Sequence, residues 1–236
     1  MLYPYRMSAT ARRQVKLRPR SVRSDGVQTR GQILQVAGRI FAEKGFERAT
    51  SREICATAGT NMAAVNYHFG GKDGLYEAVL VEAHGQLVKL DDLEAIRQSG
   101  GNAQTQLRAL IHLFVRRSSG PALPWGLRVL LHELMAPSTH VPALLQQAVL
   151  PKIRIMMAMI AAVLGVPDDH PAAQRALACV VLPCIMLLIA PRDVLRQALP
   201  ALASDSEALA DDMTSYALAG LKAMARQHRG VEPVHP

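Results

Sequence analysis

The sequence predicts an all-α protein. Apolar residues recur at helical spacing, no strand-like alternation or Asn-Gly hairpin appears, and Gly and Pro cut the pattern into helix-sized pieces. Half of the 236 residues are hydrophobic while 4% are aromatic, so the chain can bury a substantial, mainly aliphatic core. The expected order is three short helices, a long fourth helix and a larger helical body.

Residues 1–30 carry eight Lys and Arg against Asp25 alone, which supplies most of the net charge of +8. Such an acid-poor arm, over residues 1–28, suits phosphate attraction and equally suits a solvated tail. It has no apolar h-region, so a secretory signal is not expected and cytoplasmic residence is, with Met7 as an alternative initiator. Ile33, Leu34, Ala37, Ile40 and Phe41 then mark a helix over about 29–44 that stops at Gly45. Thr50, with Glu53 three residues on, predicts a capping box and a short helix ending at Gly59, with Ile54 and Ala58 inward. Asn61 is the expected cap of a third helix, with Val65 and Phe69 on one face and Met62, Ala63, Asn66 and Tyr67 towards the other. Gly70 and Gly71 break the chain, Lys72 and Asp73 restart it, and Leu75, Tyr76, Val79, Leu80, Ala83 and Leu87 continue one stripe along a long fourth helix.

Beyond Gly100 and Gly101 the breakers leave candidate helices at about 103–118, 122–135, 140–165, 170–190 and 205–227. Segments 153–166 and 177–189 are apolar on nearly every side and require enclosure, by their own domain or by a second subunit. A homodimer is therefore expected, with Leu188 and Leu218 as candidate contacts. The longest apolar run, 176–190, is short for a bilayer and holds Pro183, which favours a buried helix over a membrane span. Cys55, Cys179 and Cys184 lack CxxC spacing and read as core thiols rather than a disulfide framework or zinc site. His112, His132 and His140 have no recognised metal spacing, and no metal or other cofactor is expected.

Segment 50–75 concentrates the functional signal. A capped support helix, a Gly-containing turn and a short second helix with small outward residues meet the requirements of a major-groove reader. Ala63 and Ala64 permit close approach to base edges and thymine methyls, and Asn66 can both donate and accept there. A generic helical hairpin is the plainer alternative. No nucleophile elbow, phosphate loop or paired metal motif is present, so an enzyme is not expected, and a helical adaptor is the remaining rival.

TRGQIL at 29–34, FAEKGF at 41–46, TSREI at 50–54, AG at 58–59 and YHFGGKDGLY at 67–76 stand in the order of a known signature. On these residues the chain resembles the TetR family, in detail over 29–75 and in helical layout beyond. Asn66 stands where that family commonly has an aromatic, and Met62 where it often has a polar residue. The stretch from Val65 to Tyr76, with HELMAPS at 132–138, is similar to the family's CecR-like subgroup. The resemblance implies a helix-turn-helix DNA-binding domain over 29–75, joined by a long helix to a helical effector-binding and dimerisation domain over 76–230. Met62, Ala63, Ala64 and Asn66 would meet base edges, Arg52 the groove or backbone, and Thr50, Tyr67, His68 and Lys72 phosphates. The partners would be a palindromic double-stranded operator, a small-molecule effector and a second copy of the chain. The implied function is a repressor released by its effector, with an activator as the alternative. Trp125, His132, Met135, Met156 and Met159 are candidates to line the effector cavity, Met being adaptable and His a polar handle.

Overall fold

The start of the chain is organised by helix caps and a break at Gly45. A computed structural model describes residues 22–120 and 125–229. Helix α1, Val22–Arg48, begins before the expected position 29 and is interrupted at Gly45, whose φ of 73° is not helical. Residues 1–21 of the basic arm lie outside the described residues. Helix α2, Ser51–Thr57, is capped by Thr50, whose hydroxyl accepts from the Glu53 backbone N–H at 3.2 Å. The return half of the expected capping box does not form, because the Glu53 carboxylate pairs with Lys44 on α1 instead. That exchange ties α2 to α1. Helix α3, Met62–Phe69, is capped by Asn61, whose side chain accepts from the Ala64 N–H at 3.0 Å. Helix α4 spans Lys72–Leu87.

Two hydrophobic cores divide the molecule, and α4 contributes to both. The first gathers Ile33, Ala37 and Phe41 of α1, Ile54 of α2, Val65 of α3, and Leu75, Val79 and Leu80 of α4. It also takes in Trp125 and Val129, at the start of α7 (Gly126–Met135). Trp125 is buried against Gly38, where a Cβ would lie 2.5 Å from the indole ring, and its N–H donates to the Gln35 side chain at 3.0 Å. The HELMAPS segment supplies a second tie. Tyr76 O–H donates to one Glu133 oxygen at 2.6 Å, and the other accepts from Ser138 N–H at 3.0 Å and O–H at 2.9 Å. Glu133 is buried, so these bonds offset a desolvation cost of several kcal/mol.

The second core is built from α6 (Ala103–Ser119), α9 (Leu150–Leu164), α10 (Pro171–Ile189) and α13 (Ser206–Arg229). Leu107, Phe114, Met159, Ile160, Leu164 and Leu221 are buried within it. Helix α9 continues α8 (Val141–Leu144) through a wide π-helical turn, Leu145–Val149, just before Pro151, whose ring and missing N–H disturb a regular ladder. Three elements were not expected: α5 (Leu90–Gln98), α11 (Arg192–Ala198) and α12 (Ala201–Ser204). The reason is their burial. Leu93 alone is buried in α5 and no residue in α11 or α12, so none carries a long apolar stripe. By length and composition, Val141–Leu164 and α10 could each cross a membrane, with mean hydropathies of 1.6 and 2.1, but both pack on α6 and α13 in the second core. Leu188 is buried in that same core and so is not the outward interface residue expected, while Leu218 is half-buried against the core. Cys55 and Cys184 are buried, whereas Cys179 is exposed.

The Gly38 contact generates a paired test. Gly38→Ala should destabilise the protein by about 1–3 kcal/mol through overpacking against Trp125. Gly31→Ala, on the same helix and with no heavy atom within 4 Å of its added Cβ, should be neutral or stabilising by about 0.5–1 kcal/mol. Urea unfolding of the two variants checks this, and equal losses would contradict the packing argument.

Candidate nucleic-acid interface

Because Val65 is fully buried and Phe69 half-buried, α3 turns the opposite side to solvent. Met62, Ala63, Asn66 and Tyr67 are all exposed there, Tyr67 to 85%. Ala64 and His68 are half-buried at the margins, and the His68 ring meets Tyr67 edge-on at 4.9 Å. Arg52 is exposed on α2, as is Thr50 just before it, although the Thr50 hydroxyl already serves as a cap. Lys72 opens α4 with its ammonium 4.2 Å from the centre of the Phe46 ring, a cation–π contact that fixes its position. The fold thus sets the outward α3 residues on one face. It places Lys72 at the helix start that immediately follows.

Glycine 74 fixes how α3 meets α4. A Cβ at this position would lie 2.0 Å from the Phe69 carbonyl oxygen, so the first turn of α4 abuts the end of α3 in a way that larger residues would prevent. A further cation went unnoticed in the sequence: Arg30 on α1 lies over the Phe69 ring at 5.0 Å, beside the end of α3. No local pattern distinguishes Arg30 from the other basic residues of the leading segment, because the contact is tertiary.

Of the five cavity candidates, Met156 lines an apolar cavity of about 270 Å³ between the end of α4 and helices α6, α9 and α10. Trp125 belongs to the first core, where Gln35 satisfies its N–H. His132 is exposed on α7 and Met135, at its last residue, is 83% exposed, because Val129 and Glu133 occupy the inward face. Met159 is buried in the second core and is not part of the cavity wall. Lys152 is the polar group that the sequence reading missed. It is 4% exposed and donates to the His84 carbonyl at 3.2 Å and to His84 Nδ1 at 2.8 Å. Burial pushes the Lys152 ammonium down to about 8; burial, and then the Lys152 charge, push His84 down to about 4. The signal available was a Lys near the start of a mainly apolar helix whose other charge is Arg154. A larger cleft of about 740 Å³ also reaches Lys152, rimmed by Lys89, Arg116 and Arg117.

A capped support helix followed by a short helix with small and polar outward residues is the arrangement of a helix-turn-helix DNA-binding motif. Comparison with known proteins makes the assignment specific. The profile of bacterial regulatory proteins of the tetR family matches residues 33–79, and that of the C-terminal domain of the HTH-type transcriptional dual regulator CecR matches 103–224. The chain belongs to the TetR family of transcriptional regulators, which are not enzymes. It is 34% identical over 85 residues to YttP, a probable HTH-type transcriptional regulator of Bacillus subtilis, covering 36% of this chain and 41% of YttP. It is 47% identical over 53 residues to CecR of Shigella flexneri, covering 22% and 23%. The matches span under half of these relatives' own lengths. A crystal structure of a candidate transcriptional regulator from Pseudomonas aeruginosa PAO1 shares the fold with a TM-score of 0.64 at 19% identity, covering 90% of this chain and 96% of that one.

The two asparagines of this segment should separate. Asn61→Ala removes the α3 cap and should cost about 0.5–2 kcal/mol of stability. Asn66→Ala, at an exposed position, should stay within about 0.5 kcal/mol of the parent. Thermal melting of both tests this, and a larger loss at Asn66 would show that its side chain has a structural role.

Proposed function

We propose that the chain is a dimeric repressor that binds a palindromic operator and leaves it when a small molecule occupies the second domain. The outward face of α3 is the observation that carries this reading. Met62, Ala63, Ala64 and Asn66 are assigned to base edges, Arg52 to the groove margin or backbone, and Thr50, Tyr67, His68 and Lys72 to phosphates. A phenol exposed to 85% and an ammonium at a helix start are suited to such contacts. The chain would act in the cytoplasm, where its operator is. Release follows from α4: its first turn abuts the end of α3 at Gly74 and its last turn borders the apolar cavity, so a ligand that shifts one end displaces the other.

Dimerisation is assigned to α10 and α13. Leu182, Met186 and Tyr216 are all more than half exposed, Cys179 lies beside them, and a groove runs between the two helices. Two-fold pairing of these helices would form a four-helix interface and present two α3 helices to successive major grooves.

Operator binding should be strongly salt-dependent. With about 6–10 phosphate contacts per dimer, affinity should fall roughly 10³–10⁵-fold between about 50 and 200 mM salt. Lys72→Ala and Tyr67→Phe should weaken all duplexes alike, while Asn66→Ala should alter sequence preference by about 1–3 kcal/mol at the base it reads. Selection from random duplexes followed by salt titration checks both parts. Equal retention of selected and scrambled duplexes would remove the specific reading, and a promoter-reporter assay in which the chain raises transcription would replace repression by activation.

The interface assignment predicts that Met186→Glu yields monomers that still fold, because the carboxylate meets the partner only in the dimer. Leu188→Glu should instead unfold the second core. Light scattering with circular dichroism distinguishes the two, and a Met186→Glu variant that stays dimeric would overturn the assignment.

A further inference from the structure

From the cavity at the end of α4 we infer that the ligand is an amphiphilic monocarboxylate, its apolar body among Leu87, Phe114, Ile153, Met156, Leu177 and Val181 and its carboxylate on Lys152. This rests on the proposed effector-binding role of the second domain and names the chemical class that the site would take. The cavity wall is aliphatic and aromatic apart from His84, Lys152 and Gln174, which sets the character of the ligand's body. At about 270 Å³ it lies near the small end of ligand pockets, so the body is a short chain or a single ring.

The head group follows from Lys152. An ammonium removed from water costs several kcal/mol unless an anion or several good acceptors compensate. Among the described residues no carboxylate lies within ion-pair distance of it. Glu82 and Asp91 line the adjoining cleft, which also holds Lys89, Arg116 and Arg117, and Arg117 is already paired with Asp92 at 2.8 Å. The two acceptors that Lys152 does have belong to one residue, His84, and are neutral. The charge is therefore underpaired by the chain's own groups, and at neutral pH it persists in most molecules, since burial lowers Lys152 only to about 8. An anionic group entering the cavity would gain a charge-assisted hydrogen bond of the stronger kind.

The same geometry couples binding to α4. His84 lies in the last turn of that helix, and Lys152 on α9 bonds its carbonyl, acting as a side-chain cap reaching across from another helix. A carboxylate that draws the ammonium towards the cavity competes with the His84 carbonyl for it. The ligand thereby loosens the tie between α4 and α9 while occupying the space against Leu87.

The test uses the full-length protein with octanoate, octanol and acetate as probes in calorimetric titration. Octanoate should bind, octanol should bind about ten- to a hundredfold more weakly, and acetate should not bind measurably. Lys152→Met, which keeps an unbranched apolar stem, should reverse the preference between octanoate and octanol. Met156→Trp, which fills the cavity and keeps the ammonium, should abolish octanoate binding. Failure of octanoate to bind, equal affinities for octanoate and octanol, or unchanged octanoate binding in a folded Lys152→Met protein would each overturn the assignment. Operator release is measured in parallel, so the two readings fail separately. Octanoate that binds without releasing DNA removes the inducer role and leaves the site, whereas release by uncharged compounds alone removes the carboxylate class and leaves the effector-responsive regulator.

Discussion

One helix has to satisfy two cores. Tyr76, Val79, Leu80 and Ala83 of α4 are buried with α1, α2 and α3, while Leu87 at its end and Val88 just beyond it pack with α6 and α9. A packed core resists continuous deformation, because even small shifts lose contacts or create overlaps. The position of α4 is therefore a compromise that both cores enforce. At its first turn, Gly74 lets it lie directly against the Phe69 carbonyl; at its side, Tyr76 reaches Glu133 of α7; and in its last turn, His84 meets Lys152 of α9. These three contacts join α4 to the end of α3, to the strut behind it and to the cavity.

Of the three, the Lys152 contact is the one that stability alone does not account for. An apolar side chain of similar volume would fill the space without the desolvation cost of an ammonium, and replacement of buried charges by packed hydrophobes is often neutral or stabilising. The Glu133 carboxylate is different, because both of its oxygens are met by donors from Tyr76 and Ser138. One buried charge is fully satisfied and holds a strut, and the other is underpaired beside an apolar cavity. That contrast separates a structural role from a binding role. Glu133 anchors α7 to α4, and Lys152 is left with capacity for an anion.

The helix-turn-helix was legible because its signals are local. Thr50 and Asn61 announce their caps, Val65 and Phe69 their inward face, and Gly45 and Gly70 their ends, each within a few residues of chain. The major helices of the second domain were legible from the Gly and Pro breakers that bound long apolar stretches, whereas α5, α11 and α12 bury too little to leave a pattern. Side-chain destinations in the second domain were not legible. Trp125 looked like a cavity residue and is packed on Gly38, a contact between residues far apart in sequence. Met135 and His132 lie on the outer face because Glu133, between them, is drawn inward by Tyr76. Leu188 and Met186 differ by two positions, and only the tertiary packing decides that the first turns inward and the second outward. Lys152 carried a signal, a charge in an apolar helix, but its partner on α4 is fixed by the fold.

If the far end of α4 governs the end that abuts α3, the coupling is measurable with no ligand added. The operator affinity of folded Lys152→Met protein, measured at fixed salt beside the parent, is the most direct measurement. The substitution removes the tie to His84 without touching any residue assigned to DNA. Coupling through α4 predicts weaker operator binding, by about fivefold or more, with sequence preference unchanged. An operator affinity equal to that of the parent would show that the reading head is indifferent to the end of α4 and that no coupling runs along the helix.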